Sequence, residues 1–143
     1  MGYSTDYTGE LKFTSEPTVA VLRDLRKFFG EDCRDHKEWN PPQYASYIDL
    51  ELTDEMDGIR WNGNEKTSPM DGLVNVVLTQ MRKTHPDFGL SGQMLAQGES
   101  IEDRWICAIG EDGMAHHMAI TIKGQKVECP HCKRHFMLET VGA

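Results

Sequence analysis

The chain has 143 residues, of which 15 are basic and 23 acidic, giving a formal net charge of −8 at pH 7. This balance argues against nonspecific nucleic-acid binding, which needs a basic surface to displace counterions. Hydrophobic residues make up 38% and charged residues 27%, as in a globular domain, and no apolar run is long enough for a membrane span. We therefore expect one soluble, intracellular domain with no membrane association.

Two periodicities in the apolar residues predict half-buried strands and amphipathic helices along the chain. The predicted elements are a strand at 3–13, a helix at 19–29, strands at 47–52 and 59–61, a helix from 69 to 84, and strands at 90–96, 104–109 and 114–122. Ser68 is expected to cap the second helix, with Pro69 at its first position. A turn at Lys123 and Gly124 is expected to follow the last strand.

This order predicts an α+β fold, in which an antiparallel sheet carries two helices on one face. The first six elements match the split β-α-β arrangement, β-α-β-β-α-β. Residues 1–122 are expected to form this α+β domain. Residues 123–143 are expected to form a C-terminal hairpin like a zinc knuckle, packed on the same domain.

The predicted hairpin at 47–61 is unusually acidic. Its carboxylates are Asp49, Glu51, Asp54, Glu55 and Asp57. Alternation along the first strand places Asp49 and Glu51 toward water. The oxygen spacing of a calcium-binding EF-hand loop is absent. The cluster is then either a solvated hairpin face or a docking patch for a partner with a basic surface.

Cys129 and Cys132 form the one motif whose spacing points to specific chemistry. Two thiols at this spacing can chelate one metal ion from a tight turn, and zinc is the expected ion. The alternatives are a metal-free remnant held by packing and a redox pair. The redox pair is disfavoured because the motif follows a strand and does not open a helix. Cys33 and Cys107 are expected to be ordinary thiols.

A structural zinc ion needs four ligands, so the cysteine pair is half of a site. Within the chain the candidates for the other half are His116, His117 and His135. His116 and His117 are neighbours on a predicted strand, so only one of them can face a given side. Alternatively, two chains each supply Cys129 and Cys132 to a shared ion, which would make the metal a clasp in a homodimer.

Several segments resemble a family of small proteins, without an assigned activity, that bacteriophages and prophages encode. The segments are GYSTDYTG at residues 2–9, GIRWNGNEKT at 58–67, AQGE at 96–99 and DRW at 103–105, together with the C-terminal CPHC. The resemblance implies a phage accessory protein in the cytoplasm of a bacterial host. By analogy with other small acidic phage proteins, it suggests inhibition of a host defence system.

These features together favour a protein that binds another protein and is not an enzyme. No nucleophile elbow or phosphate-binding glycine loop is present. A nucleic-acid-binding zinc knuckle is the alternative, supported by a small basic cluster of Lys123, Lys126, Lys133 and Arg134. A metal-dependent hydrolase is a second alternative, and it would need a zinc ion with an open coordination position.

Overall fold

A computed structural model of the chain describes residues 4–128 and 135–142, with side chains described up to Ile120. The helices are α1 (Val19–Arg26) and α2 (Met70–Thr84), with 3-10 turns at Cys33–Asp35 and Lys37–Trp39. The strands are β1 (Asp6–Thr8), β2 (Leu11–Phe13), β3 (Leu50–Leu52), β4 (Gly58–Trp61), β5 (Leu90–Gln97), β6 (Arg104–Ile109), β7 (Ala115–Ala119), β8 (Thr121–Glu128) and β9 (His135–Gly142). Among the described residues, neither helix is long and apolar enough to cross a bilayer.

Seven strands form one antiparallel sheet in the order β3-β4-β2-β5-β6-β7, and β1 also pairs with β5. The α1 crossover from β2 to β3 leaves β4 between them, and the α2 crossover from β4 to β5 leaves β2 between them. This is the split β-α-β arrangement, used twice. The predicted α+β fold is confirmed, and β6 and β7 extend its sheet.

The first predicted strand is divided into two short strands that share one partner. β1 pairs with Leu95 to Gln97 of β5, and β2 pairs with Leu90 to Gly92. Between them Gly9 has a φ of 98°, a conformation that an L-residue adopts only at a cost. The division therefore bends the strand without moving Tyr7 or Leu11 out of the core.

The two faces of the sheet differ in what covers them. On the helix-covered face Met94 and Cys107 lie directly opposite each other and are fully buried. On the other face, Leu95 is 43% and Met118 is 40% exposed. Alternation along each strand thus separates a core face from an open face, as expected for an antiparallel sheet with helices on one side.

Eight of the 15 residues of helix α2 are buried, and the helix contacts β6 and β7 of the sheet and also α1. Tyr44 and Pro42 pack against it at Gly72. It ends at Thr84, as predicted, but it begins at Met70 with no side-chain cap. The prediction that Ser68 caps α2 is wrong. Its hydroxyl accepts a hydrogen bond from the Ser46 amide at 3.0 Å and donates one to the Tyr44 carbonyl at 3.3 Å.

Helix α1 is shorter than its apolar pattern predicts. Its amino end is capped by Thr18, whose hydroxyl accepts a hydrogen bond from the Val21 amide at 3.2 Å. It ends at Arg26, and residues 27–30 form a turn in which Gly30 has a φ of 79°. The Gly30 amide donates a hydrogen bond to the carbonyl of Ile48, just before β3, at 2.8 Å. This contact takes the place of the last helical turn that the pattern predicted.

The strand predicted at 114–122 ends at Ala119, and a new strand begins at Thr121. β8 and β9 pair with each other in a separate two-stranded sheet, from Thr121 opposite Gly142 to Glu128 opposite His135. The turn predicted at Lys123 and Gly124 is wrong, because both residues lie inside β8. The expected boundary after residue 122 falls in the same strand.

Candidate functional site

Two adjoining cavities lie on either side of residues 13–17, which connect β2 to α1. The first cavity, of about 300 Å³, is bounded by the start of α1 and by residues 84–89 between α2 and β5. The second, of about 380 Å³, is bounded by residues 55–57 at the tip of the β3–β4 hairpin. The residues that line both cavities are Phe13, Ser15, Glu16 and Pro17.

We call these two cavities the acidic groove, because of the charges along them. The carboxylates that line the groove are Glu16, Glu55, Asp57 and Asp87, and no lysine or arginine within residues 4–120 lines either cavity. Glu16, Glu55 and Asp87 are exposed, and none of them forms an ion pair within residues 4–120. A groove lined by several carboxylates is suited to attract a positively charged ligand.

The segment between the cavities is held by backbone hydrogen bonds from both sides. The Phe13 amide donates to the Asp57 carbonyl at 2.9 Å, and the Thr14 amide donates to the Gly89 carbonyl at 3.1 Å. The two segments are close here, since a Cβ atom at Gly89 would lie 2.7 Å from the Thr14 hydroxyl and would force that side chain to move. The floor of the groove is therefore tied to both of its walls.

The hairpin tip is rigid and projects a large apolar side chain. The Thr53 hydroxyl donates to the Asp57 carboxylate at 2.6 Å and accepts from the Asp57 amide at 3.1 Å. Met56 has a φ of 57°, which costs an L-residue energy, and it is 47% exposed. These hydrogen bonds close the turn that carries Glu55 and Met56 at the edge of the groove.

Asp57 differs from the other groove carboxylates because its charge is compensated. Its Oδ2 lies 2.7 Å from Lys12 Nζ, which also lies 2.6 Å from Glu10 Oε2. The hydrogen bond with Asp57, followed by the one with Glu10, raises the pKa of Lys12 above its usual range. The hydrogen bond from Lys12 in turn lowers the pKa of Asp57. Glu16, Glu55 and Asp87 therefore carry the uncompensated charge of the groove.

His85, at the end of α2, forms a wall of the first cavity. Its Nε2 lies 2.8 Å from Asp24 Oδ2, and both side chains are about one-fifth exposed. This hydrogen bond is the main reason that the pKa of Asp24 is lowered to about 2, with smaller effects from Arg23 and Lys27. In residues 4–120 no hydroxyl or thiol is hydrogen-bonded to His85. The pair therefore acts as a clasp between α1 and α2, without the partner that a nucleophilic site requires.

The structure separates the five carboxylates that were predicted as a docking patch. Asp49 is only 3% exposed and accepts a hydrogen bond from Asn64 Nδ2 at 2.9 Å, so the prediction that it faces water is wrong. Glu51 and Asp54 both form ion pairs with Arg60, with N–O distances of 2.8 and 3.1 Å. Only Glu55 and Asp57 line the groove.

Two of the three histidines predicted as candidate metal ligands, His116 and His117, have other partners in the structure. His116 Nε2 lies 2.8 Å from Asp112 Oδ2, and the ring of His117 stacks on Trp105 with centroids 4.2 Å apart. Among the described residues no group of three or more ligand-type side chains could hold a metal ion. Neither histidine is thus part of a metal-binding cluster in this part of the chain.

The cysteine motif itself lies outside the described residues. Cys129 and Cys132 are not described, and neither are Lys133 and Arg134 of the basic cluster, whereas His135 is the first residue of β9. The other two cysteines, Cys33 and Cys107, are free and fully buried.

Burial makes the two described thiols unreactive. It is the main cause that raises the pKa of Cys33 to about 11 and that of Cys107 to about 12. A thiol attacks as its thiolate, so a raised pKa leaves almost none of the reactive form at neutral pH. Both residues are packing residues of the core.

Sequence reasoning identified the hairpin side of the groove and missed the opposite side. Glu16 and Asp87 lie 71 positions apart, and the pairing of β2 with β5 brings them to one cavity. Comparison with known proteins adds no relative, since no protein-family model, curated protein or solved structure matches the chain.

Proposed function

We propose that the protein acts by binding another protein, and that a basic segment of this partner lies in the acidic groove. The observation that carries the proposal is the combination of a mainly apolar first cavity with three groove carboxylates, Glu16, Glu55 and Asp87, that form no ion pair within residues 4–120. Complementary charge speeds encounter and selects the partner, while apolar contact supplies affinity. The rigid hairpin tip supports this role, because a pre-ordered surface loses little entropy on binding.

The proposal retains the biological context that the sequence resemblance implies. The protein is then a phage accessory protein in the cytoplasm of a bacterium, and its partner is a host or phage protein with a basic surface. A component of a host defence system fits this description, and inhibition follows if the groove covers a basic surface that the component uses. In this proposal the protein is a binding protein and not an enzyme.

Capture from a bacterial lysate at low salt tests the proposal with a charge-reversed groove. The triple variant replaces three groove carboxylates by lysine: Glu16→Lys, Glu55→Lys and Asp87→Lys. All three side chains are exposed and unpaired within residues 4–120, so the variant should fold. We expect the wild type to retain a specific protein that the variant loses, and we expect release as salt rises through the screening range.

A matched control separates groove charge from overall charge. It reverses three exposed glutamates away from the groove, with the same change of net charge: Glu65→Lys, Glu102→Lys and Glu111→Lys. This control should capture the same protein as the wild type. If both triple variants lose the protein equally, or both keep it, the acidic groove is not the binding site.

We also propose that zinc binds at Cys129 and Cys132 and stabilises the C-terminal hairpin. An isolated two-stranded hairpin is marginally stable, and β8 and β9 pair only with each other in the described residues. A metal ion at the connection between these strands would supply the missing stability. Metal analysis of protein purified without chelator should give about one zinc per chain, or about half if two chains share the ion. Cys129→Ser should remove it, and a metal content near zero in the wild type would end this proposal.

A further inference from the structure

The first cavity of the acidic groove has the dimensions and lining of a site for one side chain. Its volume of about 300 Å³ is at the lower limit of ligand-binding pockets. The rings of Phe13 and Phe88 lie 6.0 Å apart at 60° and form an aromatic wall. Pro17, Val21 and Pro86 complete the apolar lining. Such a cavity can receive a long aliphatic stem and a flat terminal group.

The charges around this cavity favour a cation. Glu16 and Asp87 line it, are exposed, and form no ion pair within residues 4–120. Arg23 on α1 and Lys27 at its end do not line the cavity, and they lie 3.3 and 3.4 Å from an oxygen of Asp24. They are therefore committed to a carboxylate outside the cavity lining.

Helix dipoles do not reverse this preference. The amino end of α1 and the carboxyl end of α2 both contribute residues to the cavity, Thr18 and Thr84 respectively. The positive end of one helix and the negative end of the other act in opposite directions and largely offset each other. The side-chain charges of Glu16 and Asp87 then decide the sign of the preferred ligand.

A planar cation fits this lining better than a spherical one. A guanidinium group stacks on aromatic rings and bonds carboxylates through two N–H groups, whereas an ammonium group is more strongly hydrated. The clasp between His85 and Asp24, at 2.8 Å, holds the ring of His85 as a fixed wall of the cavity. This part of the cavity is therefore in place before a ligand enters it.

We propose that the first cavity binds an arginine side chain of the partner, with its stem against the wall formed by Phe13 and Phe88 and its guanidinium near Glu16 and Asp87. This inference rests on the proposed function, because it names the side chain through which the basic partner is held. It predicts that a small guanidinium compound binds the cavity in the absence of any partner.

Titration of the full-length protein with butylguanidinium, followed by NMR of backbone amides, tests the inference. We expect saturable shifts at residues 15–18 and 84–89, with a dissociation constant in the millimolar range for a ligand of so few atoms. Butylammonium should bind more weakly, and neutral butylurea should cause no saturable shift. An absence of saturable shifts with butylguanidinium, or equal shifts with butylurea, would overturn the inference.

The double variant Glu16→Gln with Asp87→Asn removes both charges and keeps the shapes of the side chains. It should raise the dissociation constant of butylguanidinium roughly fivefold, as expected for two exposed ion pairs. The matched control, Glu102→Gln with Glu111→Gln, alters two exposed carboxylates elsewhere and should bind like the wild type. Equal binding by all three proteins would contradict the site.

The same double variant separates this inference from the proposed function. If the variant captures the lysate partner as well as the wild type does, the arginine site is wrong and the binding function stands. If butylguanidinium binds as expected but no partner depends on the groove, the cavity is a guanidinium site and the proposed function fails.

Discussion

The base and the tip of the β3–β4 hairpin carry the same kind of side chain in different surroundings. At the base, Asp49 is buried against Asn64, and Glu51 lies 2.8 Å from Arg60. At the tip, Glu55 is exposed and unpaired in the described residues, beside an exposed Met56. The base carboxylates hold the fold together, and the tip carboxylate is available to a ligand. Acidic residues that are close together in sequence therefore predict a binding site only where they are not already paired with other residues of the fold.

The substitution with the largest expected effect on stability lies at the start of β4, where the tip of the hairpin joins its base. Gly58 is the first residue of β4, and a Cβ atom there would lie 2.1 Å from the Leu11 carbonyl oxygen. Gly58→Ala must therefore push β4 away from β2, and we expect the free energy of unfolding in urea to fall by about 3 kcal/mol. Gly63→Ala is the control, because no atom lies within 4 Å of its Cβ position. Its φ of 87° predicts a loss of only about 1 kcal/mol, and equal losses would refute the clash.

The next effect tests the different roles of base and tip directly. Asp49→Ala removes a buried acceptor and its hydrogen bond with the exposed Asn64, so we expect a loss of about 1 kcal/mol in the free energy of unfolding. Glu55→Ala should change stability by no more than about 0.5 kcal/mol, since the side chain is exposed. Partner capture should show the reverse order, weakened by Glu55→Ala and unchanged by Asp49→Ala under folding conditions. Equal stability losses would remove the distinction between base and tip.

A smaller effect, which depends on pH in the acidic range, tests the hydrogen bond between Asp24 and His85 beside the first cavity. The hydrogen bond with His85 lowers the pKa of Asp24 from 3.8 to about 2. A lowered pKa in the folded state stabilises the protein above pH 3.8, and this stabilisation is lost as the pH falls toward 2. Asp24→Asn should therefore be less stable than the wild type at pH 6, and the two should converge near pH 2. A difference that is constant with pH would show that the clasp is not ionic.

The elements with strong periodicity were predictable from sequence alone. The end of α2 at Thr84 and the bounds of β6 follow directly from apolar spacing and from turn residues. Ser68 failed as a cap because its hydroxyl is used by residues 44 and 46, more than twenty positions away. A capping motif reports local preference, and a tertiary hydrogen bond can override it.

The groove was only half predictable, for a related reason. Carboxylates close together in sequence indicated Glu55 and Asp57, whereas Glu16 and Asp87 carry no local signal. They line the groove with Glu55 because β2 lies between β4 and β5 in the sheet. Periodicity identifies strands and their buried faces, but it does not encode the order in which strands pair.

The smallest expected effect concerns the backbone strain at Met56, an exposed residue at the tip of the hairpin. Its φ of 57° costs an L-residue about 1–2 kcal/mol, and glycine avoids this cost but loses about 0.5–1 kcal/mol through the entropy of the unfolded chain. Met56→Gly should therefore raise the free energy of unfolding by roughly 0.5 kcal/mol and weaken partner capture. Lys66→Gly is the matched control, because Lys66 is also exposed, has a φ of 59° and lies outside the groove. It should give the same gain in stability with unchanged capture. If both variants capture alike, Met56 is strained for a reason other than binding.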